Sequence, residues 1–400
     1  MIIDHLSLSG FRFFRRLEMS FPSRTNIIVG RNAQGKTSVL EAIHFLSLMT
    51  SPIASHDRQM VNFQTQEDAI PVGRITADIY KKEKPHHLEA RLILNKHANG
   101  NISLRKEVLV DGVQRKLLET VGFFNSVVFL PQNTRIIEDG PSERRRYLDR
   151  TISQAYPKYV RALSVFNQAI TRRNALLKQL SEQGGSPDQL QYWDDLVAEN
   201  GALLISLRAK AIDELNTYIQ VLHNHLSAGL ELIELHYQPS LDVENSDDRR
   251  QEALFSAPQQ FSRMDNDAIL SLYQQQLRTL HQEEIRRGVT TVGPHRDDLQ
   301  FMANGIDLGV YGSRGQIRTA VMALKLAEVH WLKDKTGETP VLLLDETLAE
   351  LDEQRREQLL AELAANSQSI MTTTDLHLFH PEFVSNASVW QLKDGAILPD

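Results

Sequence analysis

The pattern with the clearest chemistry is GRNAQGKT, which runs from Gly30 to Thr37. It is a complete phosphate-binding loop of the form G-x-x-x-x-G-K-T. The backbone N–H groups of such a loop, together with the start of the next helix, direct positive dipoles at phosphate oxygens. Lys36 adds a point charge at the β- and γ-phosphates, and Thr37 offers a hydroxyl to Mg²⁺. The predicted nucleotide contacts here are Gly30, Arg31, Asn32, Ala33, Gln34, Gly35, Lys36, Thr37 and Ser38.

A second pattern is a pair of carboxylates, Asp345 and Glu346, directly after the apolar run from Val341 to Leu344. The run predicts a buried strand that ends in these two acids. Alone, the pair is most simply a solvated acidic turn. With a phosphate-binding loop upstream, Asp345 becomes a candidate Mg²⁺ ligand and Glu346 the candidate general base that polarises the attacking water.

A third pattern, Gly312 to Gln316, precedes a predicted helix from Ile317 to Trp331. Such a segment is more often a helix cap than a binding site. Its small residues and hydroxyl also suit a second anion site, formed by Ser313, Gly315 and Gln316. ABC-type ATPases use a similar segment to hold the nucleotide of the opposite subunit. Asp352 follows at the place of the loop that crosses the subunit interface in those proteins.

Predicted elements place these patterns in a nucleotide-binding head. Residues 27–29 form an apolar strand before the loop, and residues 38–46 a helix after it. Residues 73–116 alternate like an antiparallel meander with a hairpin turn at Asp111-Gly112. Two long helical patterns follow, from Ser142 to about Leu180 and from about Asp188 to Leu226.

The order of these elements predicts an α/β protein with an inserted arm. The ABC-type ATPase head, a mixed sheet plus an antiparallel β subdomain, would comprise residues 1–141 and 288–400. A short helical-hairpin arm domain would occupy residues 142–287. The first half would carry the phosphate-binding loop, and the second half the Gly312 segment and the acidic strand end.

Composition excludes several classes of protein. The chain of 400 residues has no cysteine, which excludes disulfides and thiolate metal sites. It has no apolar run long enough to span a bilayer, so we expect a cytoplasmic protein without membrane contact. The net charge of −7 argues against a uniformly basic surface that coats DNA. A local basic patch is still possible, and Arg135, Arg144, Arg145 and Arg146 are candidates, although such runs are more often solvated helix faces.

Several segments together resemble the RecF family, bacterial recombination-mediator ATPases of the ABC/SMC class. They occur in family order along nearly the whole chain: Leu8–Phe14, Gly30–Thr37, Gly140–Arg146, Val292–Asp298, Gly312–Thr319, Leu343–Asp352 and Thr372–Asp375. Family members usually have Gly at the position of Ala33, and Pro-Glu-Asp in place of Pro131-Gln132-Asn133. Gln132 restores the glutamine typical of ABC proteins.

The resemblance implies the ligands and partners. ATP and Mg²⁺ would be the cofactors, with Arg12 and Gln132 among the nucleotide contacts and Thr37, Asp345 and Gln132 as metal ligands. An ATP-dependent homodimer would bind double-stranded, gapped or junction DNA. With RecO and RecR it would help RecA to replace single-strand-binding protein during DNA repair, and hydrolysis would be slow.

Three other functions fit parts of the sequence. An SMC-like or phage-defence ATPase would need a separate effector, because nothing after the head resembles a nuclease. A transporter ATPase subunit fits poorly with the short strand at Phe11–Phe14 and with the inserted arm. A scaffold that binds ATP without hydrolysing it conflicts with the intact Asp345 and Glu346 pair.

Overall fold

The strand that leads into the phosphate-binding loop lies inside a six-stranded sheet. The computed structural model describes residues 1–67, 70–97, 101–242, 260–350, 355–360 and 368–398. In chain order the strands are β1 (Ile2–Phe11), β2 (Phe14–Ser20), β3 (Thr25–Val29), β4 (Val72–Lys81), β5 (Lys84–Lys96), β6 (Ile102–Val110), β7 (Val113–Arg115), β8 (Ser126–Phe129), β9 (Ile233–Gln238), β10 (Asp298–Ala303), β11 (Ile306–Asp307), β12 (Val341–Asp345), β13 (Ser369–Thr373), β14 (Ser388–Lys393) and β15 (Ala396–Leu398).

The helices are numbered in the same way. They are α1 (Lys36–Leu48), α2 (Leu117–Thr120), α3 (Arg135–Glu138), α4 (Pro141–Ala155), α5 (Pro157–Gln183), α6 (Gln191–Leu226), α7 (Gln260–Arg263), α8 (Asn266–Arg287), α9 (Leu308–Tyr311), α10 (Arg314–Thr336) and α11 (Pro381–Ser385). Contacts divide the chain into two compact units, Met1–Asn133 with Glu328–Asp400, and Thr134–Ala327. The predicted limits of the arm, 142 and 287, stay a prediction.

The first unit contains a six-stranded, mostly parallel sheet in the order β15-β14-β3-β13-β12-β8. Strands β14, β3, β13, β12 and β8 are parallel to their neighbours, and only β15 runs antiparallel. The strands β12 and β13 are buried along their full length, as expected for strands covered on both faces. Parallel strands end at one edge, so the loops that follow them gather there.

The predicted meander is confirmed as an antiparallel sheet in the order β2-β1-β4-β5-β6-β7. Strand β4 alternates between buried and more exposed residues, which is the pattern of a sheet with one face on the core. The turn between β6 and β7 has positive φ angles at Asp111 (53°) and Gly112 (76°). Such a turn matches the twist of its flanking strands, which explains why Asp-Gly marks the hairpin.

One hydrophobic core joins both sheets to α1. Leu6 of the meander, Ile43 of α1, and Val128 and Leu343 of the parallel sheet belong to the same buried cluster. The helix that begins at Lys36 is therefore fixed on the sheet along almost its whole length. This packing holds the phosphate-binding loop between two rigid elements.

The second unit contains the predicted helical hairpin. The helices α5 and α6 are antiparallel: Arg173 pairs with Asp194 near their connection, and Arg208 in the middle of α6 bonds to Tyr159 at the start of α5. A three-stranded sheet, β11-β10-β9, completes the unit together with α8. The predicted arm helix from Asp188 to Leu226 is confirmed as α6.

The other arm prediction, one helix from Ser142 through Leu180, is wrong. The chain breaks at Tyr156, whose φ and ψ are −128° and 101°, and α5 starts at Pro157. Proline has no N–H for the helical hydrogen bond, and its ring disfavours helical angles in the residue before it. Two helices, α4 and α5, therefore replace the single one.

A helix that crosses a bilayer needs roughly 20 mostly apolar residues. Across the described ranges, no helix combines the length and the apolar character that crossing a membrane requires.

Candidate nucleotide-binding site

The predicted phosphate-binding loop lies at the carboxyl edge of the parallel sheet. Because β3, β13, β12 and β8 run in one direction, Asp345 at the end of β12 and Thr372 near the end of β13 lie at this edge too. Gln132 follows β8, in a short 3₁₀ turn, Pro131–Thr134. Open α/β sheets bind ligands outside the carboxyl ends of their strands.

The two signature glycines of the loop are required by close packing. A Cβ atom at Gly30 would lie 2.6 Å from the carbonyl oxygen of Leu392. Gly35 has a φ of 95°, and its Cβ would lie 2.7 Å from Cζ of Phe14. Ala33 has a φ of 63°, an angle that costs an L-residue about 1 kcal/mol. The loop therefore keeps its left-handed turn although alanine replaces the glycine usual in the family.

Lys36 is buried and lies over the loop. Its Nζ atom donates to the carbonyl oxygens of Gly30 at 2.7 Å and Arg31 at 3.1 Å. The same atom lies 3.0 Å from Oε1 of Glu346. The three N–H donors of the ammonium group therefore each have an oxygen partner. The negative phosphates of a nucleotide would therefore compete with Glu346 for this charge.

Thr37 and Asp345 form the centre of the site. Oγ1 of Thr37 lies 3.0 and 2.8 Å from the two carboxylate oxygens of Asp345, and Oγ1 of Thr372 donates to the first of them at 2.7 Å. Burial raises the pKa of Asp345, and the hydrogen bonds from Thr372 and Thr37 partly offset that rise. A carboxylate whose charge is poorly solvated is stabilised by a cation. This oxygen set fits Mg²⁺, which prefers such ligands.

Glu346 has an unusual backbone. Its φ of 48° is left-handed, and its N–H group lies 3.3 Å from the carbonyl oxygen and 3.2 Å from Oγ1 of Thr372. Non-glycine residues in this conformation are strained and are often found at functional sites. Its side chain is 38% exposed and paired with Lys36, so it borders solvent at the carboxyl edge. Its role as general base stays a prediction.

The other loop residues are placed at the surface of the site. Arg31, Asn32 and Ala33 are exposed, while Ser38 is partly buried in the first turn of α1. Gln34 accepts a hydrogen bond from the backbone N–H of Asp394. Gln132 is exposed at the same edge of the sheet. Their contacts with a nucleotide stay predictions.

Arg12 is held by the helix that follows the loop. Its Nε and Nη2 atoms donate to the two carboxylate oxygens of Glu41, at 2.7 and 2.6 Å. Ser51 also donates to Glu41, whose side chain is only 2% exposed. Arg12 therefore connects the β1–β2 turn to α1, and a direct contact between Arg12 and a nucleotide stays a prediction.

In the second unit, the segment around Ser313 forms a capping box. Oγ of Ser313 accepts from the N–H of Gln316 at 3.2 Å, and Oε1 of Gln316 accepts from the N–H of Ser313 at 2.9 Å. Nε2 of Gln316 donates to Glu231 at 2.7 Å. Ser313 and Gly315 are exposed at the start of α10. The helix cap is therefore observed, and the anion site stays a prediction. The fourth predicted residue of this interface, Asp352, lies outside the described residues.

The four candidate DNA-binding arginines differ in their surroundings. Arg144 holds both carboxylate oxygens of Asp298, at 2.6 and 2.9 Å, and is largely covered. Arg145 donates to the carbonyl oxygen of Asp297, and burial lowers its pKa. Arg146 and Arg135 have side chains that are 54% and 67% exposed. Only the last two are well placed to meet phosphates without a rearrangement.

Sequence reasoning missed three residues that support the site. Thr372 orients Asp345, Phe14 packs against Gly35, and Glu41 anchors Arg12. For Thr372, a signal existed in the hydroxyl run that ends an apolar strand. Phe14 lies in the segment Leu8–Phe14 that resembles the family, but nothing along the chain places its ring against Gly35. For Glu41 there was no signal, because its partner lies on another element.

Comparisons with known proteins identify the family of this chain. The family model for the RecF/RecN/SMC N-terminal domain matches residues 2–394. A protein named DNA replication and repair protein RecF, from Chloroflexus aurantiacus, is 36% identical over 406 residues, covering 99% of both chains. A protein of the same name from Bacillus cereus is 33% identical over 400 residues, covering 99% of this chain and 98% of the relative.

Solved structures show the same relationship. The recombination mediator protein RecF with ATPrS, from the RecFOR pathway, superposes with a TM-score of 0.82 at 30% identity, covering 99% of this chain and 97% of that one. An SMC head bound to the winged-helix domain of ScpA has a TM-score of 0.50 at 14% identity, covering 100% of this chain and 98% of that one. The second likeness shows the shared fold alone. On the match of the family model and of full-length relatives, the chain belongs to the RecF family.

Proposed function

We propose that this RecF-family protein is an ATP-dependent switch in DNA repair, replication and recombination. ATP and Mg²⁺ would join two copies head to head, and the joined copies would hold gapped or junction DNA in the cytoplasm. Slow hydrolysis would separate them again. RecO and RecR are the proposed partners, and the proposed outcome is the loading of RecA in place of single-strand-binding protein.

The observation that carries this proposal is the meeting of two distant motifs at one point. Thr37 lies 2.8 Å from Asp345, and Lys36 lies 3.0 Å from Glu346, although about 300 residues separate the partners along the chain. A phosphate-binding loop alone supports binding. The addition of a candidate metal ligand and a candidate base at the same edge supports hydrolysis.

Each side chain would have a distinct task. Lys36 would neutralise the β- and γ-phosphates, and the hydroxyl of Thr37 and the carboxylate of Asp345 would hold Mg²⁺. When bound, Mg²⁺ neutralises developing charge on the phosphate oxygens. Glu346 would accept the proton of the attacking water once phosphates have replaced it as the partner of Lys36. Thr372 keeps Asp345 oriented through its hydrogen bond.

The exposed start of α10 supports the proposed dimer. Ser313 and Gly315 are exposed at this helix start, and opening the capping box between Ser313 and Gln316 would free a hydroxyl and N–H groups for an anion supplied by another molecule. Two identical heads would exchange such contacts in a C₂ arrangement. ATP would then act as a ligand that binds the dimer better than the monomer and would shift the equilibrium accordingly.

Ser313→Arg tests this dimer. The bulky side chain should abolish ATP-dependent dimers, and with them hydrolysis, while ATP binding to the Lys36 site stays near wild type. Sedimentation with and without ATP and gapped DNA measures the first effect, and nucleotide titration measures the second. A variant that still dimerises normally would disprove the composite site.

A control variant must distinguish the loss of the anion site at Ser313 from the loss of a helix cap. Asp265 caps α8 in the same unit by accepting from the N–H of Ala268 at 2.7 Å. Asp265→Ala should cost about 1 kcal/mol of stability, the usual cost of a lost cap. It should leave ATP-dependent dimers intact. If it also prevents them, the effect of Ser313→Arg reflects stability.

A second test concerns DNA. Each phosphate contact contributes roughly −0.9 to the slope of log affinity against log salt on duplex DNA. Replacing Arg135 and Arg146 with alanine should make that slope shallower by about 1.8 if both make such contacts. Replacing Arg144 should mainly lower the unfolding temperature, because it leaves Asp298 without its pair.

The matched control for the exposed arginines is Arg287→Ala. Arg287 is 56% exposed and pairs with Glu283 one helical turn away, much as Arg146 pairs with Glu143. Its loss should not change the salt slope. If the salt slope is unaltered when Arg135 and Arg146 are replaced, these two side chains do not contact DNA phosphates and only form part of the solvated surface.

A further inference from the structure

The capping box at the start of α10 is held closed from outside the helix. The amide group of Gln316 has one acceptor end and one donor end. Its Oε1 atom accepts from the N–H group of Ser313 at 2.9 Å, and its Nε2 atom donates to Oε1 of Glu231 at 2.7 Å. Glu231 therefore fixes the orientation in which Gln316 occupies the N–H group of Ser313.

Glu231 is itself fixed by its surroundings. The next residue, Leu232, bonds to the turn between β10 and β11: its N–H group donates to Oδ1 of Asn304, and its carbonyl oxygen accepts from the N–H group of Asn304, both at 2.9 Å. The buried ring of His223 lies on the other side, with Nε2 3.7 Å from Oε2 of Glu231 and Nδ1 3.4 Å from its carbonyl oxygen. The carboxylate is therefore presented to Gln316 by an anchored segment.

This arrangement opposes the use of the helix start as an anion site. An anion must accept hydrogen bonds from N–H groups such as that of Ser313, and this group already donates to Gln316. Only two hydrogen bonds and one amide group connect Glu231 to Ser313, so the carboxylate lies within roughly 8 Å of that N–H group. Its negative charge would repel an incoming phosphate, because salt screens a charge only partly over such a distance.

We propose that Glu231 is a positioning residue that keeps the capping box closed and thereby sets the ATP concentration at which two copies join. The proposal rests on the proposed dimer, in which the nucleotide of one copy meets Ser313 of the other. A site that binds only in its open form has its apparent affinity reduced by the fraction of that form. The charged hydrogen bond between Gln316 and Glu231 favours the closed form. The box restrains dimers until the nucleotide supplies enough binding free energy to open it.

Hydrogen exchange in the nucleotide-free protein tests whether Glu231 holds the box closed. In Glu231→Ala, the backbone N–H groups of Ser313 and Gln316 should exchange roughly 10-fold faster than in the wild type, the scale of one hydrogen bond to a charged group. Glu231→Gln, which keeps an oxygen acceptor but has no charge, should show a smaller increase. Unchanged exchange of these two groups in Glu231→Ala would overturn the proposal.

Sedimentation across a series of ATP concentrations tests the effect on dimers. Glu231→Ala should reach half-maximal dimer at a roughly 10-fold lower ATP concentration than the wild type. Its ATP affinity at the Lys36 site should be unchanged when it is titrated at a protein concentration too low for dimers. A merely structural role predicts the opposite, because damage to the fold does not make two copies join more readily. If Glu231→Ala needs as much ATP as the wild type, or more, the proposal is wrong.

Glu234→Ala is the matched control. Glu234 lies in β9, shortly after Glu231, and pairs with His236 at 3.0 Å. Its replacement removes the same charge from the same region and leaves the bond between Glu231 and Gln316 in place. It should change neither the exchange of the capping-box N–H groups nor the ATP concentration for half-maximal dimer. If it changes both as Glu231→Ala does, a general charge effect explains the result and the assignment to Glu231 fails.

The two measurements separate this proposal from the proposed function. The exchange comparison needs neither nucleotide nor dimer, so it decides by itself whether Glu231 holds the capping box closed. If the wild type forms no dimer at any ATP concentration, the proposed function fails, and the control of dimers by Glu231 fails with it. If the wild type dimerises with ATP and Glu231→Ala needs the same ATP concentration, the proposed function stands and only the role of Glu231 is refuted.

Discussion

Glu346→Gln is expected to bind ATP, to accumulate as a dimer and to turn over at least roughly 10²-fold more slowly than the wild type. Glutamine keeps the shape and hydrogen bonding of the side chain, but it cannot accept a proton from water. The structure adds a second expectation. Because the variant loses the negative charge that pairs with Lys36 at 3.0 Å, its ATP affinity should equal or exceed that of the wild type.

Steady-state hydrolysis, nucleotide titration and sedimentation together test this variant. Glu382→Gln is a suitable control, because Glu382 is an exposed glutamate of the same unit in α11. It should hydrolyse ATP as the wild type does. Asp345→Asn should behave differently from both, with a loss of Mg²⁺-dependent binding. Normal turnover in Glu346→Gln would exclude Glu346 as the base.

Lys36→Ala is expected to lower ATP affinity by roughly 10²-fold, since a buried charged hydrogen bond contributes about 3 kcal/mol. The side chain of Lys36 is 4% exposed, so water cannot replace its ammonium group easily. Its loss also removes a positive charge that lowers the pKa of Asp345, which should rise further above its usual range. As the pH falls, ATP·Mg²⁺ binding should therefore begin to weaken at a higher pH in the variant than in the wild type.

Lys36→Arg should also bind weakly, because a planar guanidinium is too large for this position and cannot act as a compact charge. Lys84→Ala provides the control, since Lys84 is an exposed lysine at the start of β5. Titration with ATP at two pH values measures all three variants. Wild-type affinity in Lys36→Ala would show that the nucleotide site lies elsewhere.

The local parts of this protein could be predicted from the sequence. The loop from Gly30 to Thr37, the strand before it and the helix after it occur where the pattern placed them. The meander and its Asp111-Gly112 turn were equally predictable. In each case neighbours along the chain determine the structure, because glycines, β-branched runs and helical spacing act on the backbone within a few residues.

The break at Pro157 shows the limit of periodicity as a signal. Apolar spacing continued through the segment and predicted one helix, but a single missing N–H group ended it. The signal for this boundary is in the sequence, since a residue before proline disfavours helical angles. By contrast, nothing along the chain could show that Arg144 pairs with Asp298, a contact across 154 positions.

The sequence by itself therefore determined the phosphate-binding loop, the acidic strand end and the family resemblance. Only the tertiary structure decided that Thr37 meets Asp345, that Lys36 holds Glu346, and that Gln316 donates to Glu231. The physical reason is that residue spacing specifies neighbours within one helix or strand. Contacts between elements depend on strand order and packing. In this sheet only β13 lies between β3 and β12, and the carboxyl ends of both strands lie at one edge.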